Sequence, residues 1–471
     1  MKSIARSFVI ALTVAALASA CRPAQQASIN LSADFIVTAT PTYKLLAELR
    51  GGERFPNGAR LLLVHQGKAA PLVPGFAASA DADVSFDGKW VMFAGKKNAS
   101  DPWQIWELNL DDRKIRSIIA TKADAVRPFY LPGGRLVWAQ RTANGFELDS
   151  AEDSRRQEPV PLNPTAGPGI TPLTYFRGNP FPTGVLHDGR ILFEAMFPFG
   201  AAANPEIYLV YADGSGVESY RCDHGRARWG ARQLASGDVV FTQGAALGRF
   251  SSPIAHEAQV AAPAAQYPGS VAETNTGAWL LSARQTGMPN YTITSWTPGS
   301  TARPSKLLPV LAAAGADLVD PVLVAVRTRP NRHPSGLHAW SYANLLALDA
   351  RISRDGTLSG TPAEVRVETQ DSNGHAVVLG KAPVEQDGSF YVRVPGDRPI
   401  RFSLLSKNGV VLRKERGWFW ARGGEQRYCV GCHAGPERGS ENRVPTVLMR
   451  STIPTDFTDL KKILSPTRGG Q

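Results

Sequence analysis

One pattern of apolar and polar positions returns six times in the first two thirds of the chain: a glycine turn, one or two linking residues, then three or more apolar residues. It stands at Gly58 before Leu61-Leu62-Leu63, at Gly88 before Trp90-Val91-Met92-Phe93, and at Gly134 before Leu136-Val137-Trp138. It returns at Gly189 before Ile191-Leu192-Phe193, at Gly237 before Val239-Val240-Phe241, and at Gly277 before Trp279-Leu280-Leu281. Short apolar runs bounded by turn residues predict buried strands. Alternating strands that end in turns follow in some units, as in Ile105-Trp106-Glu107-Leu108 before Asp111-Asp112 and Ile207-Tyr208-Leu209-Val210 before Asp213-Gly214. The turns lie roughly 30 to 55 residues apart, mostly near the length of a four-stranded propeller blade. A six-bladed β-propeller is therefore expected over residues 40–330. An irregular β-sandwich would supply the strands but not their spacing.

The pattern stops around Arg329-Pro330-Asn331-Arg332-His333-Pro334, where two prolines among basic residues suggest a domain boundary. Strand-like runs resume at residues 347–352, 363–369, 390–394 and 400–405, punctuated by Asp355-Gly356, Asn373-Gly374, Asp387-Gly388 and Asn408-Gly409. They predict a small β-sandwich at 338–425, so the fold class expected is all-β. The turn Asp87-Gly88-Lys89 resembles the repeats of TolB-like propellers, and Asp387-Gly388-Ser389-Phe390 resembles carboxypeptidase-regulatory-like domains. Trp418-Phe419-Trp420 is either a cover for a planar ligand or ordinary core.

Composition agrees with a folded, turn-rich protein: 43% hydrophobic and 20% charged residues, with 44 Gly and 35 Pro in 471 residues. The first twenty residues read as a signal peptide, with Lys2 and Arg6, an apolar run from Phe8 to Ala18, and small residues before Cys21. That apolar run is short for a membrane span. Cys21 after a small-residue cleavage site resembles a lipobox with Ala18 where leucine is usual, so Cys21 is a candidate for lipidation and residues 21–39 for a tether. Export to the periplasm is expected, with the membrane reached only through such a lipid anchor.

The strongest chemical signal is Cys429-Val430-Gly431-Cys432-His433, within a C-terminal segment at 426–471. Two thiols three residues apart followed by an imidazole form the attachment pattern of a c-type haem: the cysteines bond the porphyrin edge and the histidine reaches iron. Related spacings also hold zinc. Haem c is the cofactor expected, with zinc as the competing reading. Met449 is a candidate sixth ligand or a core methionine. Cys222-Asp223-His224 offers a thiol and an imidazole on one side of an extended chain, matched by position to Asp81-Ala82-Asp83 near a channel mouth. Cys222 and His224 either bind metal, lie beside the haem, or form an ordinary buried thiol with a hydrogen-bonded histidine.

The net charge is +11, and the last 75 residues hold 14 Lys and Arg against 7 Asp and Glu. Such a surface would steer an acidic redox partner protein or a small anionic substrate, or is simply solvated. Nucleic acid is not expected, since no recognition motif is present.

Several stretches together resemble the hydrazine synthase alpha subunit family: Trp418-Phe419-Trp420-Ala421-Arg422, Gly424-Glu425-Gln426-Arg427-Tyr428, the C-V-G-C-H motif, and Glu441-Asn442-Arg443-Val444-Pro445. Gly380-Lys381-Ala382-Pro383-Val384 and Cys222-Asp223-His224-Gly225 fit the same family. The resemblance implies a propeller docked on a haem-bearing middle domain. It implies that His433 is drawn to zinc together with Cys222, while iron is ligated by a tyrosine four residues after the motif; Glu437 stands there. The family also carries a second haem further on, whereas this sequence has one such motif, so hydrazine synthesis itself is not expected. The function expected is that of an exported monohaem c-type cytochrome-like protein, for electron transfer or redox chemistry on a small compound, nitrogen compounds included. A non-redox propeller lipoprotein with zinc at the motif is the alternative.

Overall fold

A computed structural model describes residues 33–152, 169–196, 204–221, 225–299, 306–353, 356–415, 417–432, 439 and 441–459. Apolar runs such as Val91–Ala94 and Ile191–Phe193 are buried on both faces, because each lies inside a sheet with a neighbouring sheet against either side. A strand covered on both faces reads as continuously apolar rather than alternating. That explains the repeated runs.

Among the described residues, six four-stranded antiparallel sheets follow one another in the propeller part of the chain. The second sheet is typical: Ala78–Val84, Trp90–Lys96, Gln104–Asn109 and Ile115–Ile119 pair in chain order. The first sheet differs. Its innermost strand is Asp317–Leu323, which pairs with Phe35–Thr40, followed by Arg60–His65 and Lys68–Pro71. The beginning and end of the propeller thus share one sheet. This corrects the tether expected at 21–39: Phe35–Thr40 is buried at every position, since Phe35, Val37 and Ala39 pack among Leu62, Val64, Ile293 and Leu318 while Ile36 packs on the other face among Leu61, Val84 and Val91.

After Leu323 the chain crosses the turns of the second, third and fourth sheets. Arg327 N donates to Phe86 O (2.9 Å), and Asn331 N donates to His187 O (2.9 Å). Gly189 has φ +88, and a Cβ there would lie 2.0 Å from Asn331 O. Only glycine suits that crossing.

Two further four-stranded sheets form the middle domain. Glu364–Gln370 and Ile400–Leu405 alternate inward residues Val365, Val367, Ile400, Phe402 and Leu404 against Leu345, Phe390, Val392 and Val394 of the opposing sheet. The expected boundary at 425 also needs correction. Gln426–Cys429 pairs in parallel with Tyr342–Ala347, and Thr455–Asp456 pairs with Phe390–Pro395, so the segment after 425 completes this domain's own sheet.

Middle domain and propeller are joined by direct contacts. Trp420, 1% exposed, stacks on Phe176 with ring centres 5.4 Å apart and 9° between planes, and its indole N–H donates to Gly214 O (3.0 Å). Arg422 donates to Asp213 O and pairs with Asp397 (2.7 Å), and Arg427 donates to Val217 O (2.6 Å). Trp420 is therefore interface core. Trp418 lies under the Arg401 guanidinium (4.2 Å).

Candidate functional site

The cysteine motif leaves the edge strand Gln426–Cys429, whose parallel pairing puts Cys429 opposite Ala347 and lets Leu348 N donate to Cys429 O (2.8 Å). The chain then turns against the segment Asp349–Ile352. A Cβ on Gly431 would come within 2.7 Å of Ile352 O and 3.1 Å of Asp349 O, so the position just before Cys432 is held to glycine by close backbone approach. Cys432 is buried in the sandwich core and Cys429 is half-buried against it. Both are free thiols.

Burial raises the pKa of both thiols. At Cys429 the Arg427 guanidinium works against that rise, and at Cys432 the Glu415 carboxylate adds to it.

The segment after the motif is fixed by the Asp387-Gly388-Ser389 turn. Asp387 accepts from Thr446 N (2.8 Å) and from the Arg443 guanidinium, and Ser389 Oγ accepts from Val447 N (3.1 Å). Despite the partial burial of Asp387, hydrogen bonds from Ser389 and Thr446 hold its carboxyl well below the usual carboxylate range. These contacts seat the short helix Thr446–Arg450. Met449, on that helix, is 67% exposed, which overturns the core-methionine reading. Tyr428, Val444 and Ile453 are also exposed large apolar residues of this segment. Two thiols free of disulfides within this motif fit a haem c, whose edge takes two thioethers.

His433, Cys222, His224 and Cys21 lie outside the described residues. The alignment of Cys222-Asp223-His224 with Asp81-Ala82-Asp83 does not hold. In the second sheet the innermost strand bulges between Ala80 and Asp83, and in the fifth the matching bulge falls between Trp229 and Arg232, so Gly230 stands where Asp81 does. Both have positive φ.

A charged cluster in the propeller channel had no place in the sequence reading. Arg54 pairs with Asp81 and with Asp320 (2.8 Å), and Arg127 pairs with Glu48 (2.8 Å) and Glu194 (2.6 Å). The signal was a charge inside an otherwise apolar strand, as Arg127 within Ala125–Leu131 and Glu194 within Ile191–Met196. Such charges are rarely buried unless paired.

Residues 346–434 match the family model of the hydrazine synthase alpha subunit middle domain. The hydrazine synthase subunit alpha of Kuenenia stuttgartiensis is 29% identical over 99 residues, a match that spans 19% of this chain and 12% of that protein. In the solved Kuenenia stuttgartiensis hydrazine synthase, a chain superposes with a TM-score of 0.75 at 16% identity, covering 90% of this chain and 72% of that one. A TolB from Acinetobacter baumannii superposes with a TM-score of 0.46 at 11% identity, covering 64% of this chain and 68% of that one. The superposition on the hydrazine synthase chain covers 90% of this chain, so the shared fold takes in the propeller part as well as the sandwich, and the middle domain of this chain is hydrazine synthase alpha-like.

Proposed function

We propose that this is an exported haem c protein that carries out redox chemistry on a small nitrogen compound, with its six sheets forming a single six-bladed ring against which the haem domain is fixed. The observation that carries this reading is the seating of two free thiols, Cys429 at the end of an edge strand and Cys432 in the turn after it, within the stretch that matches the family's middle domain. Cys429 and Cys432 would hold the porphyrin edge. When bound, the haem supplies an iron able to change oxidation state. Arg427 ties the strand before the motif to the propeller, and Asp387 fixes the segment after it. In this reading residues 1–20 are the signal peptide, Cys21 is the site of lipid attachment, and partner proteins deliver or remove electrons.

For His433, a register supports zinc with Cys222 as the second reading. Trp420, Glu425 and Arg427 meet Gly214, Gly216 and Val217 in the same order, so the described parts of these two segments lie side by side as far as Arg427 and Val217. Protein purified from a periplasm with haem c maturation should retain haem absorbance after denaturation and acid–acetone extraction, and a Cys429→Ser, Cys432→Ser double variant should lose it. Wild-type protein with no retained haem and stoichiometric zinc would overturn the haem reading; one haem plus one zinc would assign His433 to zinc. Carbon monoxide binding to the reduced protein is expected for an open, reactive iron; its absence would assign an electron carrier.

A further inference from the structure

The channel of the propeller holds a guanidinium that its charged neighbours leave without a partner. Residues from five of the six sheets, and Ser270 just before the sixth, line a cavity here of about 50 Å³, among them Asp320, Asp81, Arg127, Thr183 and Arg232. One water needs ~10–15 Å³ by this measure, so three or four water-sized groups fit.

The backbone around the cavity is strained. Asp81, Arg127 and Asp320 have φ of +58, +50 and +55, a region that non-glycine residues seldom occupy. Each lies at a bulge in the innermost strand of its sheet. Strain of this kind costs about 1–3 kcal/mol per residue and gathers at functional sites.

Arg54 and Arg127 between them engage the four carboxylates of Glu48, Asp81, Glu194 and Asp320. Arg232 is treated differently. It rises from Trp229–Gln233 and lays its guanidinium over the Phe129 ring at 4.7 Å, with no hydrogen bond or ion pair among the described residues. Burial, opposed by the Asp83 charge and aided by that of Arg327, lowers the Arg232 pKa to about 10, which still leaves it a cation at neutral pH. Arg232 is half-buried, and a partly desolvated cation without a protein acceptor gains from an anion placed against it.

We propose that the propeller channel binds a small monovalent carboxylate on the guanidinium of Arg232, at a site separate from the cysteine motif. The planar fork of arginine matches a planar carboxylate, and the ring behind it holds the guanidinium in place. The charge count sets the limit. Four carboxylates against Arg54, Arg127 and Arg232 leave a surplus of one negative charge. One further negative charge is tolerated beside Arg232, whereas a dianion is repelled. The small cavity restricts the ligand to the size of formate or acetate.

The test uses full-length, haem-loaded protein and ¹³C-formate, followed by line broadening in NMR at constant ionic strength. Wild type should broaden the formate signal saturably in the millimolar range, acetate should compete, and sulfate should not. Arg232→Met should weaken binding at least tenfold, while Arg190→Met, which alters an arginine paired with Asp188 and Glu218, should leave it unchanged. If Arg232→Met loses its circular dichroism or haem spectrum, Arg232→Lys serves instead and should weaken binding several-fold. Unsaturable broadening in wild type, competition by sulfate as strong as by acetate, or equal binding by wild type and a folded Arg232 variant would overturn the site.

Discussion

Replacing Trp420 by alanine removes the side chain that most directly fastens the middle domain to the propeller. The indole is 1% exposed, lies flat on Phe176 and meets Tyr175 at 6.3 Å and 63°. Truncating a buried aromatic to alanine costs about 3–5 kcal/mol. Within that sum, stacking on Phe176 contributes ~0.5–1.5 kcal/mol, and the Gly214 carbonyl left without its indole donor accounts for roughly 1–3 kcal/mol. The pieces overlap, so we expect about 4 kcal/mol for Trp420→Ala. Trp420→Phe keeps most of the stack and loses the hydrogen bond, for about 1–2 kcal/mol. Urea unfolding followed by circular dichroism reads both: with a slope of ~2–3 kcal/mol per molar, the alanine variant should unfold at a midpoint ~1.3–2 M lower. Combining Trp420→Ala with Phe176→Ala should cost less than the two separate losses by ~0.5–1.5 kcal/mol. A cost below ~1 kcal/mol for Trp420→Ala, or additive losses in the pair, would refute the claim that this stack joins the two parts.

Two further outcomes follow from buried charges. Arg54→Met should destabilise the propeller by about 3–5 kcal/mol in urea or thermal unfolding, because Asp81 and Asp320 lose their buried counter-charge; adding Asp320→Asn should recover part of that loss, and no recovery would refute the pairing. Asp149 has its carboxyl pushed up to about 7 from an ordinary 3.8, by burial and then by the Glu147 charge beside it. The folded state therefore holds this proton more tightly than the unfolded chain does. Its stabilising effect is complete below pH ~4 and is lost as pH rises through ~7, amounting to at most about 4 kcal/mol. Asp149→Asn should flatten the decline in urea midpoint between pH 4 and 8; an unchanged slope would assign the decline to other groups.

The glycine turns gave away most of the propeller, because a strand covered on both faces must be apolar throughout and the turn before it needs positive φ. Five of the six turns precede the second strand of a sheet. Gly58 is the exception, since it precedes the third strand, Arg60–His65, and this is why its interval to Gly88 is short. The missing second strand was Phe35–Thr40, set apart because its innermost partner, Asp317–Leu323, comes from the far end of the propeller. No local pattern reports such a pairing. At the candidate site the cysteine motif was legible from spacing alone, while the roles of Arg427 and Asp387 were not, for each depends on a partner distant in sequence: Val217 for one, Thr446 for the other. The channel charges were hidden for a related reason. Arg54 lies in a connecting segment, and its carboxylate partners sit on strands of two different sheets.

The sharing of the first sheet between Phe35–Thr40 and Asp317–Leu323 bears on how the molecule is made. Phe35–Thr40 emerges first during synthesis and must wait for nearly every other strand of the propeller before its inner edge is covered. Pairings between such remote segments are slow, since loop-closure entropy is spent before any contact repays it. Until Asp317–Leu323 arrives, Phe35–Thr40 presents an open apolar edge on which a second nascent chain could pair. Completion of this shared sheet is therefore the step at which assembly competes with aggregation.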